Sequence, residues 1–139
     1  MPNEEFHVSA DKNKLNIDII FQFLNSDAYW SKGRLRSTVE KSITNSLCFG
    51  VYDVKNNQAG FARVITDYAV YAYILDLFIV TSHRGKGLGK LLMKEILSNP
   101  DTTMVKNWAL ATRDAHDLYR KFGFSNVTNA ERLMSMTKE

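Results

Sequence analysis

A strand-like run, Tyr71 to Val80, leads through a turn, Arg84-Gly85-Lys86-Gly87-Leu88-Gly89-Lys90, into a helix-like run, Leu88 to Leu97. No other stretch of the chain limits the fold so tightly. Glycines let the backbone turn sharply and approach a ligand, while the unpaired amides and positive dipole end of the following helix attract negative oxygens. A strand, a helical crossover and a further apolar strand imply a parallel pair, with the glycine turn at the carboxyl end of the first strand, where open sheets bind ligands. The junction therefore predicts an α/β fold holding a phosphorylated ligand.

The remainder of the chain fits one domain spanning residues 1–139. With 139 residues and 45% hydrophobic content there is enough for one core and little room for a second. No charged-then-apolar leader stands out, and no apolar run approaches the roughly 20 residues that cross a bilayer, so a soluble, cytoplasmic protein without membrane contact is expected. The single cysteine, Cys48, precludes an internal disulfide and lies in the apolar run Leu47-Cys48-Phe49-Gly50-Val51, as a buried strand thiol would. No metal is expected. Net charge is +3, and Arg84, Lys86, Lys90 and Lys94 supply positive charge in one segment that contains no acid. Such local charge suits a small anion, whereas nucleic acid calls for a broader basic face. Spacing by four also fits a solvated helix side, the preferred reading for Lys94.

Hydrophobic period sets the other elements. Phe6 to Leu15 reads as a first strand or irregular arm. Ile17, Ile20, Phe21 and Leu24 mark one stripe of a helix, and Leu35, Val39 and Ile43 mark a second that ends near Asn45-Ser46. Leu47–Val54 and Gly60–Thr66 flank Lys55-Asn56-Asn57-Gln58 as an antiparallel hairpin. After the glycine turn and its helix, Val105 to Thr112 forms a fifth strand. Ala115, Leu118, Tyr119 and Phe122 then share one face of a short helix, with Asp114 as N-cap and Gly123 closing it. Short strands near Phe124–Val127 and Leu133–Thr137 complete a mixed sheet of about 6–7 strands flanked by about four helices on both faces.

Two common phosphate cradles do not fit the turn. A dinucleotide fingerprint needs Gly-x-Gly-x-x-Gly, but the glycines stand at 85, 87 and 89 and residue 90 is lysine. A P-loop needs Ser or Thr after Gly-Lys, and here Leu91-Leu92 follow Gly89-Lys90. Instead, Arg84-Gly85-Lys86-Gly87-Leu88-Gly89 resembles the Arg/Gln-x-x-Gly-x-Gly/Ala signature of the GNAT superfamily of N-acetyltransferases. Ala115-His116-Asp117-Leu118-Tyr119-Arg120-Lys121-Phe122-Gly123-Phe124 is similar to that superfamily's second motif, Ala-x-x-Leu-Tyr-x-x-x-Gly-Phe. The element order fits nearly the whole chain, and residues 71–124 carry the specific signature.

The resemblance implies acetyl-coenzyme A as co-substrate, its pyrophosphate held by Arg84, Gly85, Lys86, Gly87, Leu88, Gly89 and Lys90, and its pantetheine arm by backbone groups of Phe78, Ile79 and Val80. It implies direct attack of an amine on the thioester, an oxyanion held by the Ile79 amide, and Tyr119 as general acid towards the departing thiolate. Tyr119 also fits the apolar core face of its helix. Asp76, the only charge between Tyr68 and Val80, suits either a general base or a structural carboxylate paired with an arginine. His116 suits either a proton relay or an exposed first-turn residue. Many relatives carry asparagine where this chain has Thr112, which leaves a coenzyme contact there open.

Acceptor contacts fall to Trp30 and Arg34 in the loop from Tyr29 to Arg34, where an aromatic ring beside a guanidinium suits a small amine bearing a carboxylate, or ordinary lid packing. The acceptor is thus a small-molecule or peptide amine. The alternative is a coenzyme A-binding sensor or interaction module without catalysis. Pairing of C-terminal strands in the superfamily implies a homodimer.

Overall fold

A computed structural model describes residues 5–138. Among them is a mixed sheet of five strands: β1 (Phe6–Ser9), β2 (Leu47–Asp53), β3 (Gln58–Thr66), β4 (Tyr71–Ile79) and β5 (Asn107–Leu110), hydrogen-bonded in that order. The first four run antiparallel to their neighbours, and β5 runs parallel to β4. The α-helices are α1 (Ile17–Gln22), α2 (Arg36–Thr44), α3 (Leu88–Leu97) and α4 (His116–Arg120).

Alternating side chains build one core on each face of the sheet. From β2 and β3, Phe49, Val51, Ala62 and Val64 pack against Leu88, Leu92, Met93 and Ile96 of α3. Cys48 and Phe61 point the other way, onto Ile20, Leu24, Val39 and Ile43 of the α1–α2 layer. The two layers match the helices expected on both faces. Asn16 caps α1 by accepting from the Ile19 amide at 3.2 Å, and a π-helical turn, Phe23–Asp27, continues it. That wider turn seats the Phe23 ring parallel to Phe78 of β4, with centroids 4.0 Å apart.

One residue of β4 breaks the alternation. Ala72 and Ile74 belong to the α3 core, yet Phe78, also even-numbered, belongs to the α1–α2 core. Register explains the change: Arg63 faces Leu75 and Phe61 faces Phe78, so Asp76 and Leu77 together oppose Ala62 as a β-bulge. Asp76 adopts φ of 54°, a left-handed conformation uncommon for a non-glycine residue. The extra residue switches side chains from one face to the other.

Several expected features are corrected. The segments Phe124–Val127 and Leu133–Thr137 form no strands; a 3-10 turn, Ala130–Arg132, interrupts otherwise irregular chain, and the sheet has five strands among the described residues rather than 6–7. Leu133 and Met134 are 69% and 95% exposed, so their apolar character meets no sheet face to pack on. The fifth strand is shorter than Val105–Thr112, since the Val105 amide closes a turn onto the Thr102 carbonyl and its own carbonyl accepts from the Trp108 indole. Asp114 does not cap α4. Ala115 is the N-cap, and the Thr112 hydroxyl accepts from its amide at 3.0 Å. Gly123 does close that helix, at φ of 96°. Among the described residues no helix is long and apolar enough to cross a membrane.

Candidate active site

Parallel pairing of β4 with β5 ends at Ile74 opposite Leu110, and beyond it the strands separate. The bulge turns β4 away while the Thr112–Ala115 hydrogen bond leads the other chain into α4. Between them opens a cleft of about 920 Å³, lined by Tyr73–Ile79 on one side, Leu110–Ala115 and Tyr119 on the other, and Phe23, Tyr29 and Trp30 across its mouth. A smaller cavity of about 250 Å³ lies over the glycine turn, and Ile79, Arg84 and Leu118 line both, so the two spaces adjoin.

The turn has the conformation its sequence requires. Gly85 and Gly87 adopt φ of 80° and 75°. Gly87 is the N-cap of α3 and offers no side-chain cap, and the first amide bonded back into the helix is that of Leu91, to the Gly87 carbonyl. The amides of Leu88, Gly89 and Lys90, the first three of the helix, are thus directed out of its N-terminus, where they and the helix dipole favour an anion. Arg84, Gly85, Gly87, Leu88, Gly89 and Lys90 all line the smaller cavity. The Lys86 side chain does not; its ammonium lies 5.5 Å over the Phe6 ring. His83, which precedes the glycine motif and belongs to no motif of its own, lines the same cavity.

Three adjacent β4 residues differ in what their backbone can offer. The Val80 amide donates to the Ala59 carbonyl at 2.8 Å while Gly60 faces Ile79, so this is a non-hydrogen-bonded pair of the antiparallel ladder. Phe78 faces Phe61 in the adjacent bonded position, and its amide points to β3. The Ile79 amide points the opposite way, towards the separated edge. Of the expected coenzyme contacts, Phe78 and Val80 therefore have amides committed to the sheet, while that of Ile79 faces the cleft. The Ile79 carbonyl accepts from Arg84 Nε at 3.3 Å.

Tyr119 is half-buried in the cleft wall, with its ring edge-on to Phe124 at 6.1 Å. Burial, then the neighbouring Tyr29 and Asp114, push its phenol above the usual tyrosine value. The group therefore keeps its proton through the neutral range. Asp76 is buried and accepts from Trp30 Nε1 at 2.8 Å, an Arg34 terminal nitrogen at 2.8 Å and Arg63 Nε at 3.0 Å. Of the two arrangements its sequence setting allows, this is the arginine-paired one. Trp30 lines the cleft; Arg34 does not, because its guanidinium is drawn onto Asp76. His116 is exposed and outside the cleft wall, since Ala115, Leu118 and Tyr119 take the inward face of that helical turn. The Arg113 guanidinium lies 3.6 Å over the Tyr29 ring and bridges the cleft mouth. Tyr73 and Asp27, unmarked by any local motif, also reach the wall. Among the described residues no group of three or more His, Cys, Asp or Glu could hold a metal.

Comparisons with known proteins agree on the family and the fold. Residues 45–126 match a family model described as an acetyltransferase (GNAT) domain. The fold superposes with a TM-score of 0.92 on the crystal structure of a protein from Xanthomonas campestris pv. campestris assigned to the GNAT acetyltransferases, 40% identical, over 99% of this chain and 95% of that one. A Staphylococcus aureus protein taken to be an acetyltransferase gives a TM-score of 0.74 at 25% identity, covering 96% of this chain and 99% of that one. An inferred acetyltransferase of Gibberella zeae is 28% identical over 108 residues, 65% of this chain, and the chain spans 61% of that relative's length. A GNAT acetyltransferase of Elizabethkingia anophelis with acetyl-CoA bound shares the fold at 14% identity, with a TM-score of 0.65 over 88% of this chain and 78% of that one.

Proposed function

The chain belongs to the GNAT acetyltransferase family, and from that premise we propose that it transfers the acetyl group of acetyl-CoA to a primary amine of a small molecule or peptide, in the cleft between β4 and β5. One observation carries this reading: the uncapped glycine turn at the N-terminus of α3 adjoins, through Ile79, Arg84 and Leu118, the cleft that contains Tyr119. An elongated donor with a phosphorylated end and a reactive end fits such a path. The pyrophosphate rests on the amides of Leu88, Gly89 and Lys90, with Arg84 and Lys90 adding charge.

The arm then runs along the open edge of β4 to the bulge. The amine lone pair attacks the thioester carbonyl carbon, and the Ile79 amide, pointed into the cleft, donates to the oxygen as it gains charge. The tetrahedral intermediate collapses with cleavage of the carbon–sulfur bond. The thiolate takes the proton of the Tyr119 hydroxyl, and the phenolate recovers the proton that the attacking nitrogen, positively charged once bonded to carbon, loses as the amide forms. Trp30, Tyr29 and Tyr73 wall the acceptor side.

The test is release of free thiol from acetyl-CoA by the purified protein against a panel of amino acids, polyamines, aminoglycosides and peptide N-termini. Acetylated product with at least one amine is the expected result. Tight coenzyme binding without thiol release from any amine would move the protein to a non-catalytic coenzyme A-binding module.

A further inference from the structure

Asp76 receives more than neutralisation requires. Its side chain is 1% exposed and carries two guanidiniums on Oδ2, from Arg34 and Arg63, and the Trp30 indole N–H on Oδ1. These donors belong to different parts of the fold. Arg63 projects from β3 and is itself fixed by Ser46 Oγ at 3.1 Å. Trp30 and Arg34 come from the loop between the π-helical turn and α2. Within that region the loop is tied locally, by Ser31 Oγ to the Leu24 carbonyl, by the Gly33 amide to the Asn25 carbonyl, and by the Asn25 side chain to the Arg34 carbonyl. Among the described residues, both side-chain hydrogen bonds from this loop to the sheet end on Asp76.

The carboxylate also marks the bulge, where φ of 54° turns its side chain to the α1–α2 face while the strand continues to Ile79. A carboxylate whose oxygens accept from three fixed donors is well suited to orient them and poorly placed to take a proton from a substrate. We infer that Asp76 is a positioning residue: it fastens the loop that walls the acceptor side of the cleft to the bulge of β4 that aims the Ile79 amide, and so sets the spacing at which acceptor and donor meet. The inference rests on the acetyl-transfer reading of the cleft.

Amide hydrogen exchange on the full chain, with coenzyme A titrated by calorimetry, tests it without an identified acceptor. Two variants are compared, Asp76→Asn and Trp30→Phe; the second removes the indole donor, keeps a smaller aromatic ring beside Tyr29 and leaves the ion pairs, which keeps the test usable if the first folds poorly. In both, the Gly33 and Arg34 amides are expected to exchange about tenfold faster or more, with β2 and β3 amides unchanged and coenzyme A affinity within about twofold. In a Trp108→Phe background, where Trp30 is the only tryptophan, Asp76→Asn is also expected to shift Trp30 emission to the red and raise its quenching by acrylamide. Unchanged loop exchange in both variants overturns the inference. So does loosening of the loop only in step with β2 and β3, the mark of general destabilisation. An activity loss on Asp76→Asn with unchanged loop exchange assigns the carboxylate to proton transfer instead. Absence of coenzyme A binding in the unmodified protein counts against the acetyl-transfer reading and leaves the loop measurement intact.

Discussion

At the level of single residues, Tyr119 carries the sharpest expectation. Its raised phenol has a direct thermodynamic sign: the folded state prefers the protonated form, so this contribution is fully present below the ordinary tyrosine value of about 10 and is lost as pH rises through the higher folded value. A donor that stays protonated through neutral pH suits delivery of a proton to a thiolate. Tyr119→Phe keeps the ring against Phe124 and removes only the hydroxyl. Steady-state kinetics should show kcat reduced by roughly 10²-fold or more, with coenzyme A affinity unchanged by calorimetry; an unchanged kcat would remove Tyr119 from the acid role. Cys48 gives the opposite case. Burial pushes its thiol up to about 11, so it is protonated at neutral pH and shielded by the α1–α2 core. Ellman's reagent at pH 8 should leave it unmodified in the folded protein and react promptly once denaturant is added. The places of Tyr119 in the cleft wall and of the glycine turn before α3 were legible because their motifs are written in consecutive residues. The partners of Asp76 were not, because Trp30, Arg34 and Arg63 lie 46, 42 and 13 positions away along the chain.

At the level of elements, the outlines of α2, β2, β3, β4 and α3 followed from hydrophobic period, since each buries one stripe or alternate side chains. Period could not reveal the bulge in β4: the run Tyr73-Ile74-Leu75-Asp76-Leu77-Phe78-Ile79 is apolar on both parities, so a change of face leaves no mark in it. The same limit explains the missing C-terminal strands. An apolar residue predicts burial only where a partner face exists, and nothing local tells Leu133 or Met134 that none is near. The turn preceding α3 permits a finer test of what its glycines do. A Cβ at Gly87 would meet no atom within 4 Å, so the obstacle there is the backbone at φ of 75° and not crowding. Gly87→Ala should therefore lose about 1–2 kcal/mol in urea unfolding and weaken coenzyme A binding as the turn relaxes. Gly89 lies inside α3 without positive φ, and a Cβ there would touch only the Leu118 side chain at 3.4 Å. Gly89→Ala should be neutral in stability or gain up to about 1 kcal/mol from helix propensity. Equal losses at both positions would point to a steric cause and displace the conformational one.

At the level of the whole molecule, the proposed donor path touches three separate elements: the N-terminus of α3, the open edge of β4, and α4. A ligand lying along that path ties them together, and any ligand bound only by the folded state adds stability by mass action. At about 100 times its dissociation constant the gain is about 2.7 kcal/mol, which for a chain of this size raises the melting temperature by on the order of 10 °C. The turn allows the source of that gain to be separated. Acetyl-pantetheine retains the thioester and arm but lacks the pyrophosphate that the Leu88, Gly89 and Lys90 amides would hold. Scanning calorimetry at matched concentrations should show the large shift with acetyl-CoA and less than about 2 °C with acetyl-pantetheine, because its weaker affinity leaves it far from saturating. Salt adds a further constraint, since the screening length contracts from about 8 Å at physiological ionic strength to about 3 Å at 1 M. The acetyl-CoA shift should shrink as salt rises, as expected if Arg84, Lys90 and the dipole of α3 supply much of the attraction. An equal shift from acetyl-pantetheine, or one indifferent to salt, would locate the affinity in the β4–β5 cleft and strip the glycine turn of its anchoring role.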